Sequence, residues 1–314
     1  MIKIGILGGG QLGRMTIEES RKLLSYIEVL SPDYPAPGAD LADVTHVGEL
    51  TDYEAVMEVA SEVDVLSYEI EHVNVDALTQ LEKDGKIVIP SAGVLRAIQD
   101  KGRQKLLMDE AKIPTARWAW VGDGTEAATQ AAVLEAAKTL GGFPLVQKAR
   151  TGGYDGRGVA VLRSAEDARA PEDGGKLLPV PSFLEELVDF QKELAVVVVR
   201  DRNGNEDSYP CVEMVFDSRA NLCDSVLMPA RVSQAVMEEA AAVARAMIDC
   251  LDSYARKNST VQTSGASGVF AVELFLTRDG RILVNETAPR PHNSGHITQD
   301  ACETSQFEQY YRIL

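Results

Sequence analysis

Short apolar runs alternate along the first third of the chain with stretches of helical spacing. Ile2–Leu7 is continuously apolar apart from Lys3 and Gly5, glycines and a helix-spaced stretch to about Leu24 follow, and a second run occupies Tyr26–Leu30. Such runs, bounded by turn residues and too short for helices, predict strands buried on both faces. The alternation goes on with strands at Val44–Val47, Asp64–Tyr68 and Ile87–Pro90, and helices at Asp52–Glu62 and Val75–Lys83. Residues 1–92 are therefore expected to form a small doubly wound α/β domain. Beyond it the pattern predicts one helix over Ala92–Ala111, a strand at Trp118–Val121, an Ala-rich helix at Glu126–Leu140 and a strand at Phe143–Ala149. Further strands are expected at Ala195–Val199, Tyr209–Phe216 and Leu222–Leu227, with a turn at Asp217–Ala220. A long helix at Gln234–Tyr254, a mobile polar loop at Arg256–Ser267 and a helix at Ser305–Leu314 complete the set.

The sharpest local signal is a hairpin within Gly268–His296. Two apolar runs flank Asp279-Gly280, and Asp-Gly favours a two-residue type I′ turn because both positions need φ > 0. Such a turn pairs Arg278 with Arg281 and sets Glu273 opposite Glu286. Like charges so placed repel. A divalent cation bridging them, protonation of one Glu, or an intervening Lys or Arg would each relieve the repulsion. Magnesium commonly binds through one or two carboxylates plus substrate phosphates.

Glycines mark two further stretches. Gly8, Gly10 and Gly13 satisfy G-x-G-x-x-G, and Asp33 follows twenty residues later, as a dinucleotide-binding fingerprint requires. The same glycines also serve tight strand–helix packing, or an anion cradle at the helix N-terminus. Gly152, Gly153, Gly156 and Gly158 lie between two strands, with Lys148 and Arg150 before them and Arg157 among them. Here backbone N–H groups can wrap a polyphosphate while the cations supply charge, or the segment is a surface hairpin. Glu69, Glu71 and His72 stand at the end of a strand, where open α/β sheets bind ligands; alternatively the acids complement a helix dipole. Lys101, Arg103 and Lys105 suit either a phosphate contact or a solvated helix face.

Composition narrows the classes. The 314 residues allow about two domains, and 45% hydrophobic with 25% charged residues is ordinary for a soluble protein. A net charge of −17 disfavours nucleic acid and anionic membrane as partners. Apolar runs such as Leu194–Val199 are too short to span a bilayer. Cys211, Cys223, Cys250 and Cys302 show neither metal nor disulfide spacing, and the N-terminus lacks a signal-peptide layout. A cytoplasmic location is expected.

In order along the chain, GGGQLGRM (8–15), YEIEHV (68–73), GGYDGRG (152–158), FLEELVDFQKEL (183–194), AVELFLTRDG (271–280) and NETAPRPHNSGH (285–296) resemble the ATP-grasp ligases. Within these the resemblance is to the 5-(carboxyamino)imidazole ribonucleotide synthetase family of purine biosynthesis. It implies α/β and α+β parts: an ATP-grasp fold behind an N-terminal Rossmann-like domain. The expected units are 1–92, a large ATP-grasp part formed by 93–117 with 183–314, and a small flap-bearing part at 118–182. The implied reaction uses ATP and magnesium to activate bicarbonate as carboxyphosphate and to carboxylate 5-aminoimidazole ribonucleotide, commonly in a homodimer.

Carried over residue by residue, Lys105 and Lys148 match the ATP-phosphate lysines, and Gly153, Tyr154, Asp155, Gly156, Arg157 and Gly158 the flap. Glu185, Glu186, Leu187 and Val188 match the adenine hinge and Glu193 the ribose acid. Glu273 and Glu286 match the magnesium ligands, with Asn285 beside them. Tyr154, Asp155, Arg157, Arg290, His292 and Asn293 match the carboxylation region. Gln11, Leu12 and Glu71, with Arg290 and His292, are expected at the ribonucleotide. The chain departs from the family at Val159, usually Gln, and at Met214, usually Asn. It also ends at Leu314, before a basic C-terminal segment expected to grip the ribonucleotide phosphate. The alternatives are an NAD-dependent oxidoreductase built on the first glycine loop, a catalytically weak nucleotide-binding homologue, or a sister ATP-grasp ligase with another acceptor.

Overall fold

The first apolar run forms β1 (Lys3–Leu7), the centre of a parallel five-stranded sheet. After α1 (Gln11–Ser20) come β2 (Tyr26–Ser31), β3 (Val44–Val47), α2 (Tyr53–Glu62), β4 (Val65–Tyr68), α3 (Val75–Lys83) and β5 (Ile87–Val88), with strand order β3-β2-β1-β4-β5. The fold is a computed structural model that describes residues 2–152, 158–217 and 222–314. Asp52 and Asn74 cap α2 and α3 by accepting hydrogen bonds from first-turn N–H groups. One sheet face buries Leu7, Leu30 and Leu66 against Val56, Val59 and Leu78; the other buries Ile4, Ile6 and Val29 against Ile17.

The expected helix over Ala92–Ala111 is instead two, α4 (Ala92–Ile98) and α5 (Lys101–Ala111). Asp100 ends the run because its carboxylate caps α5 at Arg103 N–H, giving the backbone an alternative to continuing. Next come β6 (Trp118–Trp120), α6 (Gln130–Thr139), β7 (Leu145–Ala149), β8 (Val159–Leu162) and β9 (Ser182–Glu186). Their strands form an antiparallel sheet in the order β6-β9-β7-β8, with Val133, Ala136 and Ala137 of α6 packed on Leu145 and Leu184.

The third sheet is built around β10 (Phe190–Arg200), flanked by β11 (Glu206–Ser208), β12 (Val212–Asp217) and β13 (Leu222–Leu227). After α7 (Gln234–Lys257) it is completed by β14 (Gly268–Thr277) and β15 (Ile282–Ala288), giving the order β13-β12-β10-β14-β15 with β11 beside β10. Alternation along β10 divides the work of its faces. Leu194, Val196 and Val198 pack on Ala244, Met247, Ile248 and Leu251 of α7, whereas Val197 and Val199 turn toward Ile89, Ala271, Ala288 and Tyr310.

Two short helices end the chain, α8 (Thr298–Ala301) and α9 (Gln306–Ile313). α9 packs on Val197, Val199 and Ala271 of the third sheet and also reaches the first: the Tyr310 hydroxyl donates to Tyr68 O at 2.9 Å and pairs with Ser67 Oγ. The loop after α7, expected to be mobile, is tied down over residues 264–266. Ala266 N–H donates to Asp252 at 2.8 Å, Ser264 Oγ donates to Val88 O, and Ser91 N–H donates to Gly265 O at 3.1 Å.

Candidate active site

The hairpin forms, but with a different turn. Thr277 N–H donates to Arg281 O at 2.9 Å, leaving three residues in the loop, and Gly280 takes φ +88°. The pairs above it are Leu276↔Ile282, Phe275↔Leu283 and Leu274↔Val284, one position away from the register of a two-residue turn. A β-bulge then intervenes, and Glu273 does face Glu286. Asn285 is the extra residue. Without the bulge Asn285 would oppose Glu273, and Glu286 would turn toward the face that buries Leu274 and Val284. With it, both Asn285 and Glu286 reach the cleft between the second and third sheets.

Three lysines meet these acids. Lys148, on β7, places Nζ 2.7 Å from Glu185 Oε2 and donates to Asn285 Oδ1 at 3.0 Å. Lys105, on α5, pairs with Glu185 Oε1 and donates to Thr115 Oγ1 at 2.6 Å. Lys101, at the start of α5, lies 2.9 Å from Glu286 Oε1. Lys105 and Glu185 are 2% and 4% exposed, so this is a buried ion cluster rather than a surface one. Burial opposes ionisation of Glu185, but Lys148 and Lys105 outweigh it and hold the carboxyl below its usual value. These residues line one small cavity with Gln104, Met108 and Phe183. A roomier hollow of about 530 Å³ lies by the 112–118 linker and includes none of the three lysines.

Acid accumulates at the other side of the cleft. Burial, then Glu286 and Glu193, push the Glu273 carboxyl up to about 7; burial alone pushes Glu193 to about 7. His292 Nε2 lies 3.3 Å from Glu273 Oε1. Its Nδ1 accepts from Ser294 N–H at 3.3 Å and lies 2.9 Å from Ser294 Oγ, which fits a neutral ring protonated at Nε2. Burial, and then Arg290, lower that imidazole to about 4. Arg290 itself pairs with Glu71 at 2.9 Å, so the end of β15 meets the loop after β4. Asn293 is exposed at the following turn. Gln11 and Leu12 open α1, exposed and half-buried respectively.

Glu69 explains the first glycine loop. Its carboxylate accepts hydrogen bonds from Gly10 N–H and Gly13 N–H, filling the anion position at the N-terminus of α1. A Cβ on Gly8, where φ is +117°, would stand 2.4 Å from Glu69 Cγ; on Gly10 and Gly13 it would stand 2.9 Å and 3.0 Å from the carboxylate oxygens. The glycines thus make room for an internal carboxylate where a dinucleotide would need a pyrophosphate. Asp33 is exposed. The oxidoreductase alternative loses its site.

Other expectations land differently. Glu186 turns its carboxylate away from the cleft onto Arg117 Nε at 2.8 Å, leaving its backbone, with Leu187 and Val188, as the crossing from β9 to β10. Arg150 is engaged bidentately by Asp100 and is not a spare phosphate cation. Gly153, Tyr154, Asp155, Gly156 and Arg157 lie outside the described residues, as do 218–221 at the expected turn; Gly158 adopts φ +75° at the start of β8. The side-chain role of Glu185 and the Lys101–Glu286 pair were missed. For Glu185 the signal was its alternation in β9 with inward Phe183, and for Lys101 the Asp100 cap that starts a new helix beside it.

Among the described residues no group of three or more His, Cys, Asp or Glu forms a ready metal cage. Two facing carboxylates with an adjacent amide, one carboxyl destabilised by burial and by its neighbours' charge, suit a hard divalent cation completed by ligand oxygens. Among the described residues no helix is long and apolar enough to cross a membrane.

Comparison with known proteins identifies the family. Residues 1–99 match the ribonucleotide synthetase preATP-grasp domain and residues 106–307 the ATP-grasp domain. The chain is 38% identical over 99% of its length to a phosphoribosylaminoimidazole carboxylase of Ogataea methanolica, of which it covers 54%. It is 36% identical to the N5-carboxyaminoimidazole ribonucleotide synthase of Synechococcus elongatus, covering 72% of it. A crystal structure of the Aspergillus clavatus N5-carboxyaminoimidazole synthase, in complex with ADP and 5-aminoimidazole ribonucleotide, superimposes with a TM-score of 0.85 at 34% identity. That match covers 99% of this chain and 76% of that one. The chain spans about half the length of the first curated relatives it matches. It belongs to the ATP-grasp family, among the N5-carboxyaminoimidazole ribonucleotide synthetases.

Proposed function

We propose that the protein is an ATP-dependent carbon–nitrogen ligase that carboxylates 5-aminoimidazole ribonucleotide with bicarbonate, giving 5-(carboxyamino)imidazole ribonucleotide, ADP and phosphate. The observation that carries this is the convergence of Lys105 and Lys148 with the Glu273–Glu286 pair on one cleft between two antiparallel sheets. Phosphoryl transfer asks chiefly for positioning and charge neutralisation, which lysines and a bound cation supply without a covalent nucleophile. Glu273 and Glu286, with Asn285, would hold magnesium, which when bound neutralises phosphate charge.

In this reaction Lys105 and Lys148 exchange Glu185 for phosphate oxygens, and Glu193 is placed for ribose hydroxyls. The backbone at Glu185–Val188 offers donors and acceptors to an adenine edge. Arg290, freed in part from Glu71, faces the anionic acceptor, and neutral His292 orients Glu273 without adding positive charge. Tyr154, Asp155, Arg157 and Asn293 complete the carboxylation region in this proposal, with Gln11 and Leu12 at the ribonucleotide. The protein works as a homodimer in the cytoplasm.

The test is phosphate release from magnesium-ATP with and without aminoimidazole ribonucleotide and bicarbonate. Strong stimulation by the ribonucleotide is expected, and equal rates would remove the assignment. Glu286→Gln should fold normally yet lose turnover through weaker metal binding; undiminished activity would refute its metal role.

A further inference from the structure

The break between α4 and α5 ties together segments that are distant in sequence. Gln99 Nε2 donates to Glu71 O at 2.9 Å and to Val73 O at 2.8 Å, fixing the loop whose Glu71 pairs with Arg290. One residue on, Asp100 receives the Arg150 guanidinium as a fork: Nε lies 2.9 Å from both oxygens and Nη2 2.8 Å from Oδ2. Lys101 N–H donates to Arg150 O at 2.8 Å. Arg150 also donates to Gly124 O at 3.1 Å, and its guanidinium lies 5.3 Å from the Trp120 ring centre. Arg150 directly follows β7, which carries Lys148.

Capping alone does not call for this arrangement. Asp100 already caps α5 through Arg103 N–H at 3.1 Å. A bidentate Arg–carboxylate pair is directional and permits little sliding, so displacement of residues 99–100 moves the end of β7 with it. The hydrophobic pattern of 92–111 would support one unbroken helix; breaking it is what exposes Gln99 and Asp100 to these two partners.

We propose that Gln99, Asp100 and Arg150 form a positioning relay coupling the ribonucleotide end of the cleft, at Glu71 and Arg290, to the phosphate end, at Lys148. The relay rests on the function proposed above. Coupling of this kind is reciprocal: ribonucleotide should tighten ATP as much as ATP tightens ribonucleotide, commonly by about 5–150-fold.

The test uses Gln99→Met, Asp100→Asn and the double variant of the whole chain. Methionine keeps length and helix propensity but removes both donors. Asparagine caps a helix about as well as aspartate but neutralises the fork. In the unmodified protein, ATP affinity by calorimetry should rise when ribonucleotide is present, and phosphate release should be stimulated. Each variant should cut that enhancement about tenfold or more, while affinity for ATP alone and ribonucleotide-independent release stay within about twofold. Because the links act in series, the double variant should lose little more than the worse single one. Variants that keep the full enhancement, or that weaken ATP equally with and without ribonucleotide, overturn the relay and leave the proposed function standing. An unmodified protein that ignores the ribonucleotide overturns both. If one variant fails to fold, the other alone decides, since the two interrupt different links.

Discussion

Replacing Glu185 by Gln isolates the charge at the centre of the cleft. The carboxylate is 4% exposed and serves two lysines, Lys148 at 2.7 Å and Lys105 on its other oxygen. At an effective dielectric of about 20, one unit pair at that separation attracts by roughly 6 kcal/mol, much of it offset by desolvation and by repulsion between the lysines. Removing one partner leaves uncompensated buried charge, which costs about 3–5 kcal/mol. Urea unfolding without nucleotide should therefore show the variant less stable by that amount. Magnesium-ATP should narrow the gap, because its phosphates supply the charge that the variant lacks and meet no competing carboxylate. At a hundred times its dissociation constant a ligand stabilises by about 2.7 kcal/mol, and the variant should gain about 1–2 kcal/mol more than the unmodified protein at equal ATP. A nucleotide-free variant within about 0.5 kcal/mol of the parent would refute the account. So would a gap that ATP leaves unchanged.

Gly8→Ala combines φ +117° with a Cβ 2.4 Å from Glu69 Cγ, so a loss of about 2 kcal/mol or more is expected in chemical denaturation; near-parental stability would count against the Glu69 packing. Tyr310→Phe removes the hydroxyl that donates to Tyr68 O, and should cost about 1–2 kcal/mol and speed hydrogen exchange in α9. Unchanged exchange would show that α9 docks by its apolar face alone. Burial raises the Glu82 carboxyl to about 7, against the hydrogen bond it accepts from Ala92 N–H. Since the folded state then holds the proton more tightly than the unfolded chain, stability should fall as pH rises from about 4.5 to about 7, by up to about 3 kcal/mol. Glu82→Gln should flatten that slope and stabilise the protein at pH 8; an unaltered pH profile would contradict it.

Elements with one strong period were legible from the sequence. Val44–Val47, Val75–Lys83 and Leu222–Leu227 form with the expected limits, the helix starting at its Asn74 cap. The facing of Glu273 and Glu286 was legible too, though for an incomplete reason: an altered turn and a bulge shift the register in opposite senses. What sequence could not carry was partner choice among charges. Arg150 looked like a phosphate cation until Asp100, fifty residues earlier, claimed it. Glu69 read as a ligand contact or a helix-dipole complement until the glycines it fills were seen to be shaped around it. Lys105 and Glu185 read as independent ligands because nothing local announces that they are buried against each other. Such pairings are long-range, and any of several neighbours of suitable charge satisfies the same local pattern.

The bulge at Asn285 makes the hairpin turn and the chemistry of the cleft inseparable in arithmetic. Three loop residues and one unpaired strand residue leave odd and even positions in agreement from Glu286 onward. Drawing Arg278 into its strand, so that only Asp279 and Gly280 make the turn, would let the strands run in phase without interruption, a change that looks stabilising by hairpin rules. Asn285 would then oppose Leu274 and face the hydrophobic side beneath α7, while Glu286 kept its partner. The tighter turn would remove from the cleft the amide that holds Lys148 at 3.0 Å, although it altered no residue there. Loop-shortening, ordinarily a safe route to a sturdier protein, is here an edit to the active surface some twenty ångströms of strand away, as the ~3.4 Å rise per residue over six positions implies.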